Sequence, residues 1–189
     1  MSDPNDSTSQ VTSTGDGVSL SPSFLNFCVK VRNNNPSILP ELGEPFRISD
    51  LSEREHMELA DALMENTSVT FLELETEKYT ERSAEAMAKY VRTSKRLQRI
   101  RWPLYARTRE EREEMFCCFL PAFQESTSLK ELDMELPSIG GPSILAFEQM
   151  LTHTQSLRSL SLICPAGRFD DITVAAARSG LKKNTTLRE

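Results

Sequence analysis

One spacing recurs through most of the chain, and it constrains the fold more than any other feature. Leu157-x-x-Leu160-x-Leu162 is its clearest copy, closing residues 151–162 (LTHTQSLRSLSL). The first anchors of the copies are Val69, Leu97, Leu129, Leu157 and, in a partial copy, Leu187, separated by 28, 32, 28 and 30 residues. Three residues beyond the first four anchors stand Leu72, Ile100, Leu132 and Leu160. Two further on stand Leu74, Trp102, Met134 and Leu162. A second set of columns precedes each anchor. Leu63, Val91, Phe123, Leu151 and Leu181 lie six residues upstream. Leu59, Met87, Phe119, Phe147 and Ala177 lie four before those, and Ala84, Phe116, Ile144 and Val174 three before those, with His56 the polar member. Apolar positions at i, i+3 and i+7, then a loop, then strand spacing, predict a repeated helix–loop–strand unit.

One such unit cannot bury its apolar side alone. Stacking places strand beside strand, about 4.8 Å apart, and helix beside helix. Helices are about twice as wide as the strand spacing, so the stack bends toward its sheet. The expected fold is α/β: a solenoid with a curved parallel sheet inside, helices outside, and about five units, the last incomplete. Ser52-x-x-Glu55 and Thr108-x-x-Glu111 read as capping boxes that open two of the helices. The third unit is longer, and Pro121 falls inside its helix, where it removes one backbone hydrogen bond.

These columns resemble the leucine-rich repeat family, in particular its ribonuclease-inhibitor-like class. Residues 59–75 (LADALMENTSVTFLELE) and 123–136 (FQESTSLKELDMEL) carry the likeness best. The resemblance implies a binding fold, not an activity, because that fold serves many unrelated roles. The family's usual Asn or Cys after the last strand leucine is replaced by Glu77, Tyr105, Pro137 and Pro165, so the asparagine ladder of its turns is missing here. The chain stops two residues past Leu187, which suggests an array truncated at its C-terminal end, or one closed by a partner.

Three regions follow. Residues 1–23 are rich in Ser, Thr, Asp, Asn and Gly and cannot offset their ordering entropy, so a disordered tail is expected. Residues 24–49, with an NNNP turn and several prolines, read as an irregular N-terminal cap. Residues 50–189 form the repeat array. A net charge of −6 argues against general nucleic-acid or anionic-membrane binding. Neither a secretory signal nor an apolar run of bilayer length is seen; the longest clean run is residues 115–120 (MFCCFL). A cytoplasmic protein with reduced, buried thiols is expected from Cys28, Cys117, Cys118 and Cys164, which lack zinc spacing.

The residues between the repeat leucines face the concave side of the sheet. One row reads Thr70, Gln98, Lys130, Arg158 and Arg188. The next reads Phe71, Arg99, Glu131, Ser159 and Glu189, and the third Glu73, Arg101, Asp133 and Ser161. The alternating signs of Glu73, Arg101 and Asp133 fit neighbouring strands pairing charges, or a mixed-charge footprint for a ligand. Phe71, an aromatic on the exposed face, is the leading binding candidate and could stack on Arg99. Candidate partner-binding residues are therefore Phe71, Glu73, Arg99, Arg101, Lys130, Asp133 and Arg158. Trp102 replaces a strand leucine and belongs to the core. A basic belt (Lys89, Arg92, Lys95, Arg96, Arg99, Arg101, Arg107, Arg109) lies beside acids at Glu73, Glu75, Glu77 and Glu81, as expected of charge matching between repeats. The sequons at Asn5, Asn66 and Asn184 read as turn chemistry, the last two at the same helix-to-strand corner. His56 and His153 stand in different repeats, and no catalytic, metal or cofactor constellation is evident.

The expected role is a non-catalytic scaffold that binds a protein through the concave face. Two resemblances supply alternatives. The NTSV and NTTL corners are similar to those of the tropomodulin repeat domain, although the N-terminal actin- and tropomyosin-binding helices of that family have no match in residues 1–49. The fold also resembles that of GTPase-activating proteins for a small nuclear GTPase, without their Asn-bearing repeats and acidic tail.

Overall fold

The computed structural model describes residues 19–38, 44–48, 51–75, 79–103, 108–136, 139–165 and 167–188. Helices and strands alternate: α1 (Pro22–Arg32), β1 (Phe46–Ile48), α2 (Glu53–Glu65), β2 (Phe71–Leu74), α3 (Glu81–Thr93), β3 (Arg99–Trp102), α4 (Arg109–Glu125), β4 (Glu131–Glu135), α5 (Gly141–His153), β5 (Ser159–Ile163) and α6 (Asp171–Lys183). The strands form one parallel sheet in chain order, β1 to β5. Each helix packs on the next and each strand on the next, as stacking of one unit requires.

The register is that of the repeat columns. Leu72 pairs with Ile100, Ile100 with Leu132 and Leu132 with Leu160; Trp102 pairs with Met134 and Met134 with Leu162. The anchors Val69, Leu97, Leu129 and Leu157 are buried, as are Leu59, Leu63, Met87, Val91, Phe119, Phe123, Phe147 and Leu151 on the helices. Trp102 is fully buried, with the rings of Phe116, Phe119 and Phe123 centred 5.2, 5.4 and 5.3 Å away. His56 is buried too. Its Nδ1 lies 3.1 Å from the Ser52 carbonyl oxygen, and its ring lies 4.3 Å from that of Tyr79. Both expected capping boxes form, at Ser52/Glu55 and Thr108/Glu111, and α4 continues through Pro121 to Glu125.

Two expectations need correction. The described part of 24–49 is not irregular: it supplies most of α1 and all of β1. Ser21 caps α1, Pro22 fills its first turn, and Phe24, Phe27, Cys28 and Val31 fall at i, i+3, i+4 and i+7. Phe27 stacks on Phe46 of β1 at 6.2 Å, and β1 pairs with β2 through Phe46–Leu72. Cys117, expected buried, is exposed, because it lies on the outer side of α4. Cys28 is fully buried, and burial pushes its thiol up to about 11. A thiol reagent near neutral pH is expected to modify Cys117 first and to reach Cys28 only on unfolding, which mass spectrometry would read out.

Asn66 and Asn184 serve as turn chemistry at the same helix-to-strand corner, as expected. The turn positions Glu77, Tyr105 and Pro137, like the tail of residues 1–18 with Asn5, lie outside the described residues. Side-chain amides instead stitch the opposite corner, where helices hand over to strands. Asn66 Nδ2 donates to the Val31 carbonyl at 2.6 Å, and its Oδ1 accepts from the Ser68 and Val69 N–H groups at 2.9 and 2.7 Å. Asn184 repeats the motif, donating to the Leu151 carbonyl at 2.7 Å and accepting from Thr186 and Leu187 N–H at 2.7 Å each. Between them, the hydroxyls of Ser128, Ser156 and Thr186 donate to the carbonyls of Ser94, Ser126 and Thr154 at 2.8, 2.6 and 2.9 Å. Each rung ties one unit to the unit before it and satisfies carbonyls that the helix ends leave open.

Close packing between the last two helices rests on a glycine. A Cβ added at Gly180 would lie 2.6 Å from Leu151 Cβ and 3.0 Å from the Glu148 carbonyl oxygen. Gly180→Ala is therefore expected to lower stability by about 1 kcal/mol in urea denaturation, the overlap outweighing the better helix propensity of Ala.

Candidate functional site

Alternation along the short strands turns the leucine columns toward the helices and the intervening residues to the other face. That face is more closely knit than separate rows of side chains would be. Phe71 is not exposed, at 8% of its surface, because the Arg99 guanidinium carbon lies 4.6 Å from its ring centroid and that of Arg101 5.8 Å. The two arginines come from the neighbouring strand and lay their chains across the ring, covering it while keeping their charge in water. Phe71 thus serves as a floor for the arginines: the expected stacking on Arg99 forms, and the ring expected to be exposed is covered by it.

The charges pair, but not all straight across. Arg101 Nη1 lies 3.3 Å from Glu73 Oε2, its direct cross-strand neighbour, and Arg47 Nε of β1 approaches the same oxygen at 3.6 Å. Glu73, only 7% exposed, therefore sits between two guanidinium groups. Asp133 faces Arg101 in the register yet bonds to Arg99 diagonally, at 2.8 Å to Nη2 and 3.3 Å to Nε. That hydrogen bond raises the Arg99 pKa, and Glu131 at 3.5 Å adds to the pull. Pairs of this kind on a half-exposed face contribute about 0.2–1 kcal/mol each, so their main effect is to fix side-chain positions. The result is a rigid ledge on which Phe71, Glu73, Arg99, Arg101 and Asp133 hold one another in place.

Beside the ledge, toward the strand ends, lies a recess of about 520 Å³ bordered by Glu73, Arg101, Asp133, Ser161 and Ile163. Ile163 is 52% exposed and gives the recess an apolar wall next to its charges. The repeat columns did not single it out, because it follows the last strand leucine.

The structure does not bring Lys130 and Arg158 to this ledge. They precede their strands and line a separate groove at the helix-to-strand corner. The basic belt is divided as well. Arg92 pairs with Glu125 at 3.0 Å and Arg109 with Glu113 at 3.9 Å on the helix side, whereas Arg107 lies outside the described residues. Among the described residues, no three His, Cys, Asp or Glu side chains converge to hold a metal ion, and no helix is long and apolar enough to cross a membrane.

The arrangement places the chain among leucine-rich-repeat-like folds. No family model and no curated protein matches it. Two solved structures are similar in fold. One is the tropomodulin C-terminal domain from Caenorhabditis elegans, with a TM-score of 0.55 and 11% identity over 85% of this chain and 92% of that one. The other is leiomodin-1 actin-binding site 2, with a TM-score of 0.53 and 20% identity over 87% of this chain and 92% of that one.

Proposed function

We propose that this protein is a non-catalytic binding module that holds a protein partner on its concave sheet face. The observation that carries this reading is the ledge: two arginines pinned over Phe71 and tied to Glu73 and Asp133, next to the apolar wall of Ile163. Charges already fixed in position lose little freedom on binding, and mixed signs beside an apolar contact suit a protein surface. The unit length of 28 to 32 residues supports a repeat of the ribonuclease-inhibitor-like class. On this reading residues 50–189 are the binding array, residues 24–49 cover its first edge, and the setting is cytoplasmic.

A second reading makes the partner actin. It is supported by the fold likeness to leiomodin-1, whose structure is named for an actin-binding site, and to the tropomodulin domain. Actin polymerisation kinetics with and without the protein test it; unchanged elongation and no co-sedimentation would remove it.

The main reading is tested by affinity capture with the natural chain and with a Phe71→Ala/Arg99→Glu double variant. The variant is expected to bind the captured partner about 30-fold more weakly, an effect of hot-spot size. Equal binding would move the site off this face.

A further inference from the structure

We infer that the corner groove between the α4–β4 and α5–β5 units binds an extended acidic peptide, separately from the concave ledge. The groove encloses about 600 Å³ and is lined by Lys130, Arg158, His153, Gln124, Gln155 and Ser156, among others. Its cations differ from those of the ledge. Arg99 and Arg101 are held by carboxylates. Lys130 is exposed and its ammonium has no hydrogen-bond or ion-pair partner among the described residues, and the Arg158 side chain gives only Nη1 to a backbone carbonyl, that of Thr186 at 3.2 Å. The one carboxylate in the lining, Glu125, is turned to Arg92 at 3.0 Å. His153 Nδ1 is 3.1 Å from the Gln149 carbonyl oxygen, which can only accept, so Nδ1 carries the proton and Nε2 is left for another partner.

The groove also belongs to a longer strip. Lys95 and Arg96 occupy the corner one unit earlier, and Arg188 the corner one unit later, all exposed. Five cations (Lys95, Arg96, Lys130, Arg158 and Arg188) thus follow one edge of a chain whose net charge is −6. Lys130, Arg158 and Arg188 share one repeat column, so an extended ligand crossing the strands meets them at about the spacing of parallel strands, with Lys95 and Arg96 just before the matching column in the preceding unit. Such a strip draws an anionic partner by charge complementarity, while the acidic remainder repels large polyanions.

The walls favour a peptide among the anions. The C-terminal ends of α4 and α5 open on this corner, and helix C-termini carry partial negative charge on their carbonyls. The cations attract any anion and both helix ends oppose any anion, but a phosphodiester or polyphosphate group brings no N–H donors for the open carbonyls. An extended peptide with Asp or Glu side chains brings carboxylates for Lys130 and Arg158, together with backbone N–H and C=O groups. The amides of Gln124 and Gln155 can pair with that backbone, and Ser156 Oγ, whose proton goes to the Ser126 carbonyl, can accept from its N–H groups.

The test is fluorescence anisotropy of the whole chain with a labelled decapeptide of alternating Asp, Glu and Ser. Its Asn/Gln counterpart, a single-stranded oligonucleotide and phosphatidylserine vesicles serve as comparisons. The acidic peptide is expected to bind, to weaken steeply as salt rises from about 0.05 to about 0.5 M, and to outbind the other three. Lys130→Glu/Arg158→Glu should weaken it at least about tenfold with an unchanged melting temperature. If that variant fails to fold, Lys130→Gln/Arg158→Gln gives the same reading. Phe71→Ala/Arg99→Glu should leave peptide binding intact, which separates failure here from failure of the concave-face reading. Absence of peptide binding, indifference to the Lys130/Arg158 changes, or tighter binding of the oligonucleotide or vesicles would overturn the inference.

Discussion

Trp102→Ala is expected to lower the unfolding free energy by about 3–5 kcal/mol, the range for truncating a fully buried aromatic. Trp102 has no exposed surface and is the hub on which Phe116, Phe119 and Phe123 converge within 5.4 Å. Removing the indole opens a cavity that three rings from one helix cannot fill together, because α4 is fixed by its packing on α3 and α5. Its Nε1–H, buried without a hydrogen-bond partner, stabilises nothing. Trp102→Phe should therefore cost less than half as much: it loses volume but also removes a buried, unpaired donor. Urea denaturation of the three proteins distinguishes these outcomes. Equal losses for Ala and Phe would mean that the indole N–H finds a partner and matters more than the volume.

Asn66→Ala is expected to cost about 2–4 kcal/mol, the second largest effect. One amide makes three hydrogen bonds in a buried corner: it donates to the Val31 carbonyl and accepts from the N–H groups of Ser68 and Val69. Alanine would leave the N–H groups of Ser68 and Val69 without their acceptor, and the Val31 carbonyl with only its bond from the Asn34 N–H, each lost bond costing about 1 kcal/mol or more. Asn66→Asp separates the two halves of the motif. The acceptor to Ser68 and Val69 survives, the donor to Val31 is lost, and a carboxylate faces a carbonyl. The aspartate variant should accordingly recover some stability as pH falls through its carboxyl pKa, since protonation restores a donor. The sign follows from burial, which raises that pKa and makes the protonated form the one that fits. Thermal melts of Asn66→Ala, Asn66→Asp and Asn184→Ala across pH would read this. A loss at Asn66→Ala below about 1 kcal/mol would show that the corner does not depend on the amide.

The fold was readable in the sequence to the extent that one periodic rule governs it. Leu72, Ile100, Leu132 and Leu160 share a column because identical units stack, and β2 to β5 pair in that register. The rule fails where a unit departs from the pattern. The first unit lacks the leucine signature, so its helix showed only in the stripe Phe24, Phe27, Cys28 and Val31, which the prolines and asparagines after it obscured. The site was less readable, for two physical reasons. Spacing tells which face a residue occupies, but not what lies over it: Phe71 points away from the helices, yet long arginine chains from the next strand cover it. Spacing also cannot tell a strand residue from one just before the strand. Lys130 and Arg158 share a row with sheet residues on paper, but they stand where the backbone is still turning out of α4 and α5, and so they open onto the corner groove. The ion pairs, among them the diagonal bond of Arg99 to Asp133 and those of Arg101 to Glu73 and Arg92 to Glu125, show which charges are committed.

The measurement that tests the concave-face account most directly is a comparison of two charge-swapped proteins against one purified, captured partner by calorimetry. The first carries Arg99→Glu and Arg101→Glu on the ledge; the second carries Arg82→Glu and Lys89→Glu on the helix side, where both residues are exposed. With both variants folded, the account predicts that the ledge variant loses about 2 kcal/mol or more of binding free energy and that the helix-side variant binds like the natural chain. The reverse pattern, with full affinity in the ledge variant and loss in the helix-side variant, would contradict it.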